Sequence, residues 1–274
     1  MFLKWAREQQ LFLNYKQFIL PLRQLVEDVG EFQLSEITRV SQDHVETKDL
    51  NSLVSYVDQQ SEVIIVKKLK DLIPDCGFIT EEGVIENSNK EYTWVIDPLD
   101  GTTNYLHQIP HFSISIALKH NDEVILGVVY DPSLKECFWA VKGQGAYLND
   151  RSLNLDLKDD LSSALIVTGF PYSNDYNVEA KFEMLKFWLL NTRGIRRLGS
   201  AALDLVYVAS GRLDAYYEGP LNIWDLAAGA LIAEEAGAKV SDLDGSRNHL
   251  VSGNILATNK GLYDKIFEVI KTKN

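Results

Sequence analysis

The sequence predicts a layered protein of mixed helix and strand, α/β or α+β in class. Three observations carry that expectation. Helical and strand-like patterns alternate along the chain rather than segregating into one type. Residues 112–148 read as a long antiparallel meander, with short turn signals between apolar runs. The helical pattern at 225–236 is rich in Ala and Gly, which allows close packing against another element.

The elements follow in chain order. Residues 1–40 read as helix, because charge appears after three residues and no continuous apolar core marks a secretory signal. Residues 49–72 read as a second helix, since Leu53, Val57, Ile64, Ile65, Leu69 and Leu72 recur at helical intervals. The aromatic and β-branched stretch 92–96 predicts a strand. SISIAL, EVILGVVY and ECFWAV then form the meander, separated by HND, DPS and GQG. The second half opens with the strand ALIVTGF and an amphipathic stretch at 180–190. A helix at 200–209, a strand at 215–218 and the small-residue helix at 225–236 come next. The last strand and helix are NILAT and LYDKIFEVIKT.

A chain of 274 residues holds one large domain or two modest ones. A composition shift near 150–160 suggests an N-terminal lobe, 1–150, and a C-terminal lobe, 151–274, joined in one compact unit. The 46% hydrophobic and 24% charged content excludes a disordered chain. With 27 Lys and Arg against 39 Asp and Glu, the formal charge of -12 argues against a broad nucleic-acid surface. The same surplus argues against binding to an anionic membrane, and no stretch approaches the ~18 apolar residues of a membrane span. Cys76 and Cys137 lack metal-type spacing, which predicts reduced thiols and a cytoplasmic location.

Three segments hold carboxylates at positions suited to chemistry. In WVIDPLDGTTN, 94–104, an apolar strand delivers Asp97, and Pro98 turns the chain. Asp100 follows three residues later, with the Leu99 carbonyl between the two acids. These oxygens suit a hard cation, and the Gly-Thr-Thr-Asn that follows can open a helix whose bare amides attract phosphate. Read alone, the same residues also suit a strand-turn-helix with capping aspartates. In FITEEG, 78–83, a short strand ends in Glu81 and Glu82, which read either as metal ligands or as a solvated turn. In NIWDLAAG, 222–229, Asp225 enters a helix and reads alone as an N-cap. Together the three segments supply the oxygen ligands of a two-metal cluster.

The chain resembles the inositol monophosphatase family. WVIDPLDGTTN is similar to its first signature and NIWDLAAGALIAEEAGA to its second. TEEG, LGSAALDL and DAYYEGPLNIWD fall in the expected order, so the resemblance covers roughly residues 45 to 260. It implies a layered αβαβα sandwich, shared with fructose-1,6-bisphosphatases, and a magnesium-dependent, lithium-sensitive phosphomonoesterase. By that resemblance Glu81, Asp97 and the Leu99 carbonyl bind one magnesium ion; Asp97, Asp100 and Asp225 bind a second; Glu81 and Glu82 lie near a third. Glu81 and Thr102 orient the attacking water, and Gly101, Thr102 and Thr103 meet the phosphate. Lys48 and Asp58 match a pair that flanks the nucleophile side, although both also read as surface helix charges.

The resemblance also bears on the ester. Gly199, Ser200, Ala201 and Glu218 match positions that contact the hydroxyl-bearing leaving group, beside Asp100 and Asp225. Arg197 reads either as a partner for a second phosphate or subunit, or as a surface cation. His107 and His111 read as packing or surface residues. The expected activity is hydrolysis of inositol-1-phosphate by direct in-line attack, since the motifs place no Cys, His or Ser as nucleophile. A phosphatase for fructose bisphosphate, NADP or adenosine bisphosphate is the alternative, and a non-catalytic phosphoester-binding protein is the third reading. Relatives are commonly homodimers, so a homodimer is expected.

Overall fold

Apolar residues alternate along the strands, and that alternation sorts their side chains onto two faces. The computed structural model describes residues 15–40, 45–49, 52–170 and 178–273, with side chains from 15–40, 56–170 and 178–273. Residues 1–14 of the expected first helix therefore lie outside the described residues. The described part holds α1 (Ile19–Glu36), which buries Ile19, Leu22, Leu25, Val26, Val29, Gly30 and Gln33 on one stripe.

The second expected helix is shorter than its pattern implied. Val45–Asp49 (β1) and Ser52–Ser55 (β2) pair as an antiparallel ribbon. The helix α2 runs only over Tyr56–Leu72. Leu53 matches the helical period but lies in a strand, where the β-branched and serine residues around it fit an extended chain. The inward stripe of α2 changes character along its length: Asp58, Ser61 and Glu62 are buried at its start, Ile65, Val66 and Leu69 at its end. A polar start to a buried stripe points to a polar site beneath it.

Among the described residues a seven-stranded sheet has the order β3-β4-β5-β6-β7-β8-β9. Its strands are Gly77–Thr80 (β3), Tyr92–Asp100 (β4), Ser113–His120 (β5), Glu123–Asp131 (β6), Glu136–Val141 (β7), Ala146–Leu148 (β8) and Arg151–Leu153 (β9). The meander at 112–148 is antiparallel as expected, while β3 pairs parallel to β4. A five-stranded sheet comprises Leu165–Thr168 (β10), Gly194–Arg196 (β11), Ala215–Glu218 (β12), Lys239–Ser241 (β13) and Ile255–Thr258 (β14), in the order β11-β10-β12-β14-β13.

The clusters show how the layers stack. Trp94, Ile96, Ile114, Ile116 and Val128 pack with Leu22, Leu25, Ile65 and Leu69 on the outer face of the large sheet. Val95, Ala117 and Val129, on its other face, pack against two helices: Ala201–Ala209 (α5) and Ile223–Glu235 (α6). Val167, Tyr216, Ile255 and Ala257 of the small sheet join that same cluster. Ile166, Ala215, Tyr217 and Leu256 turn outward to Val178–Asn191 (α4) and Tyr263–Lys273 (α7). The result is the αβαβα sandwich.

The middle layer explains the small residues of α6. A Cβ on Gly127 of β6 would meet the Ala228 backbone at 2.8 Å, and one on Gly229 would meet Leu205 at the same distance. A larger residue at Gly127 would force α6 off the sheet, and one at Gly229 would force it away from α5. Each large side chain wholly buried in these clusters contributes roughly 1.5–3 kcal/mol.

Candidate active site

The site grows from an irregularity at the end of β4. The strand runs through Pro98 to Asp100 instead of ending before the aspartates. Asp97 pairs with Ser115 and Asp100 with Ser113, so three steps on β4 oppose two on β5. Pro98 has no amide hydrogen to give a ladder, and it sits in this bulge. The Asp97 carboxylate accepts the Leu99 amide at 2.9 Å, and Gln33 donates to the Pro98 carbonyl at 2.7 Å. Gly101 then takes φ +94°, and a Cβ there would press on the carbonyls of His111 and Gly199. Thr102–Leu106 forms the one-turn helix α3 that follows.

A second chain segment closes over this turn. Asp100 Oδ2 accepts Ser200 Oγ at 2.6 Å and the Ala202 amide at 2.8 Å. Ser200 is also the N-cap of α5. Asn104 Nδ2 donates to the carbonyls of His111 and Leu198, each at 2.8 Å, and so ties the motif to the segment holding Gly199.

Parallel pairing of β3 with β4 brings Glu81 beside Asp97. Thr80 stands opposite Ile96, and the Glu81 amide bonds the Ile96 carbonyl at 3.3 Å. Sequence reasoning missed the residue that braces this turn. Glu62, wholly buried, accepts Thr80 Oγ1 and the amides of Glu82 and Val84 at 2.7–2.9 Å. Gln33 was missed as well. The available signal was their place as polar residues on the inward stripes of α1 and α2.

Glu81, Asp97, Leu99, Asp100, Gly101, Thr102, Thr103, Gly199, Ser200, Ala201, Glu218 and Asp225 all line one cavity of about 190 Å3. Arg197 and Asn222 are also on its wall. Asp58 is buried beside it and accepts Thr102 Oγ1 at 3.1 Å; the same hydroxyl lies 3.0 Å from the Leu99 carbonyl. Glu82 follows Glu81 in the braced turn, without lining the cavity. Lys48 belongs to β1, and its side chain lies outside the described residues. Asp225 is not the N-cap of α6. Asn222 is, and Asp225 completes a capping box by accepting the Asn222 amide at 2.7 Å. His107 is exposed, while His111 packs edge-on against Tyr207.

The acids disturb one another. Burial, then the charges of Glu81, Asp100 and Asp225, holds the Asp97 carboxyl well above the usual range. Burial, followed by Asp100 and Glu81, does the same to Asp225. Burial also raises Asp100, against the bonds from Ser200, Ala202 and Ala201 and the charge of Arg197. Among the described residues no three His, Cys, Asp or Glu side chains are set closely enough to hold a metal ion as they stand. The donor chemistry nevertheless fits a hard cation: four carboxylates lining one cavity, all oxygen, whose crowding positive charge would relieve.

The profile of the inositol monophosphatase family matches residues 14–273. The chain belongs to the inositol monophosphatase family. Nus factor SuhB of Pasteurella multocida is 42% identical over 225 residues, covering 82% of this chain and 84% of that protein. Inositol-1-monophosphatase of Mesorhizobium japonicum is 38% identical over 250 residues, 91% of each chain. Among solved structures, the Thermotoga maritima IMPase TM1415 superposes with a TM-score of 0.85 at 33% identity, covering 93% of this chain and 97% of that one. Membership accounts for the two signatures lying on the cavity wall. The small residues of the second signature form the helix layer between the two sheets. Among the described residues, no helix is long and apolar enough to cross a membrane.

Proposed function

We propose that the protein is a magnesium-dependent phosphomonoesterase that hydrolyses inositol-1-phosphate to inositol and phosphate. One observation carries the reading: a single cavity joins Glu81, Asp97, Asp100 and Asp225 to the Gly101–Thr103 turn and to Glu218. Acids alone would repel a phosphate ester, so the site makes sense when a cation is held first. Glu81, Asp97, the Leu99 carbonyl, Asp100 and Asp225 would hold magnesium, with Glu82 near a further ion. When bound, magnesium offsets phosphate charge and acidifies a water for attack.

The chain's own groups do the rest. The Gly101 and Thr102 amides, with Thr103, receive the phosphate. Thr102 Oγ1, set between Asp58 and the Leu99 carbonyl, orients water together with Glu81. Lys48 flanks that side. Glu218 accepts the leaving group's hydroxyls, while Gly199, Ser200 and Ala201 form the facing wall. Attack is in line and leaves no phosphoenzyme: the motifs place no Ser, Cys or His as nucleophile, and the carboxylates of the site are engaged with the cation. The working form is a cytoplasmic homodimer.

A second reading rests on Arg197, a cation on the cavity wall that suits a second phosphate, as in fructose bisphosphate or a nucleotide. A purely non-catalytic role accords poorly with the retention of Glu81, Asp97, Asp100, Thr102 and Asp225. The test is phosphate release from inositol-1-phosphate, fructose-1,6-bisphosphate, NADP and adenosine 3',5'-bisphosphate, with magnesium and then with lithium added. Magnesium-dependent, lithium-inhibited turnover of inositol-1-phosphate is expected. Inactivity on that ester while another is hydrolysed overturns the assignment.

A further inference from the structure

The carboxylate of Glu218 lies where the side chain of residue 169 would be. Strands β10 and β12 are parallel, with Val167 opposite Tyr216 and Thr168 opposite Tyr217. Gly169 therefore stands beside Glu218, one step past the last pair. Tyr216 and Glu218 are two residues apart, so both face the middle helix layer, where the Tyr216 ring is wholly buried. A Cβ built on Gly169 would fall inside the van der Waals envelope of the Glu218 carboxyl carbon and both its oxygens.

Backbone conformation does not require glycine here, since Gly169 is absent from the residues with positive φ. Room is what the missing side chain provides. The backbone of 169 is tied to its neighbour strand, because Thr168 Oγ1 donates to the Tyr217 carbonyl at 2.7 Å and approaches the Gly169 carbonyl at 3.2 Å. From the other side Tyr216 Oη donates to Glu218 Oε2 at 2.8 Å. The carboxylate thus has a floor and one fixed oxygen. Glu218 also lines the cavity, so the carboxylate held this way belongs to its wall.

We propose that Gly169 and Tyr216 are positioning residues that aim the Glu218 carboxylate at the leaving-group hydroxyls, making residue 169 a determinant of polyol specificity. The proposal rests on the reading of Glu218 given above. A side chain at 169 meets the end of a flexible side chain, so the carboxylate moves and the sheet stays. The enzyme then keeps its phosphate chemistry and loses its preference for a hydroxyl-rich ester.

The experiment compares inositol-1-phosphate with phenyl phosphate, an ester without vicinal hydroxyls, in wild type, Gly169→Ala, Tyr216→Phe, Glu218→Ala and the Gly169→Ala/Glu218→Ala double variant. Losing a carboxylate–hydroxyl bond predicts that Gly169→Ala raises KM for inositol-1-phosphate roughly ten- to hundredfold. Its kcat/KM for phenyl phosphate, which also reports correct folding, stays within about twofold of wild type. Tyr216→Phe moves the substrate ratio the same way by a smaller factor. In the Glu218→Ala background, Gly169→Ala adds nothing to the ratio. An unchanged ratio in Gly169→Ala, or an equal loss on both esters, with Glu218→Ala shifting the ratio, overturns the positioning role alone. An unchanged ratio in Glu218→Ala overturns the assignment of Glu218, and the positioning role falls with it.

Discussion

Ser200 Oγ donates to Asp100 Oδ2 at 2.6 Å, across 100 residues of sequence. The bond joins the bulged end of β4 to the N-cap of α5, and so connects two segments that line the same cavity. Ser200 also accepts the Leu203 amide. One hydroxyl serves both the helix and the acid.

Ser200→Ala removes both contacts. Loss of the cap and of a bond to a carboxylate predicts about 1–3 kcal/mol of destabilisation in urea unfolding. Phosphatase kcat/KM is expected to fall as well, because Asp100 loses the hydroxyl that orients it. Ser200→Thr, which keeps the hydroxyl, should recover part of both. Full activity in Ser200→Ala would show that the bond is dispensable for Asp100.

Glu62→Gln places an amide where one oxygen now accepts the Glu82 or Val84 amide. The buried network cannot be satisfied in full, which predicts roughly 1–3 kcal/mol of lost stability. Glu62 does not line the cavity, so its effect on catalysis passes through the position of Glu81. The magnesium concentration giving half-maximal activity is therefore expected to rise. An activation curve superimposable on wild type would separate the brace from the metal site.

Asp97→Asn is expected to reduce phosphate release about a thousandfold or more, since it strips the acid at the centre of the set. The metal-free protein should respond in the opposite sense. Asp97 titrates above its unfolded value, so the folded state binds more protons, and crowding costs stability as pH rises through the folded pKa. At neutral pH the variant removes that cost, about 1–3 kcal/mol. Thermal unfolding in chelator, compared at acid and neutral pH, checks the sign; a variant less stable than wild type at neutral pH contradicts it.

His111 gives a second pH signature. Burial pushes its pKa down to about 4, and its Nε2 has no hydrogen-bond partner. The unfolded chain binds this proton near pH 6.5. Stability is therefore lost as pH falls from about 6.5 through 4, by up to about 3 kcal/mol. His111→Phe, which keeps a ring against Tyr207, should flatten that part of the stability curve. An identical acid slope in the variant would assign the loss to other groups.

Much of the site was legible in the chain because its signatures are local. Asp97, Leu99, Asp100 and Thr102 sit within six residues, and their carboxyl, carbonyl and hydroxyl groups announce a polar turn at a strand end. Other parts were not legible. Leu53 continues the helical rhythm of 57–72 yet belongs to β2, since side-chain periodicity does not report which backbone groups find partners. Asp225 read alone as a cap, whereas the cap is Asn222, three residues earlier. Glu62 and Gln33 lie on the inward stripes of their helices, but only packing shows which groups they hold.

What the sequence determined by itself is the kind of chemistry: the acids, the glycine at Gly101 that permits a left-handed turn, and the small residues that make α6 fit a middle layer. Those depend on residue type and short spacing, which the chain carries wherever it goes. Tertiary structure alone decided that Glu81, Asp100, Glu218 and Asp225 share one cavity, that Glu62 holds the Glu81 turn, and that Gly169 makes room for Glu218. Each of these joins residues distant in sequence. Their proximity comes from strand order and layer stacking, set by burial of apolar faces far from the site itself.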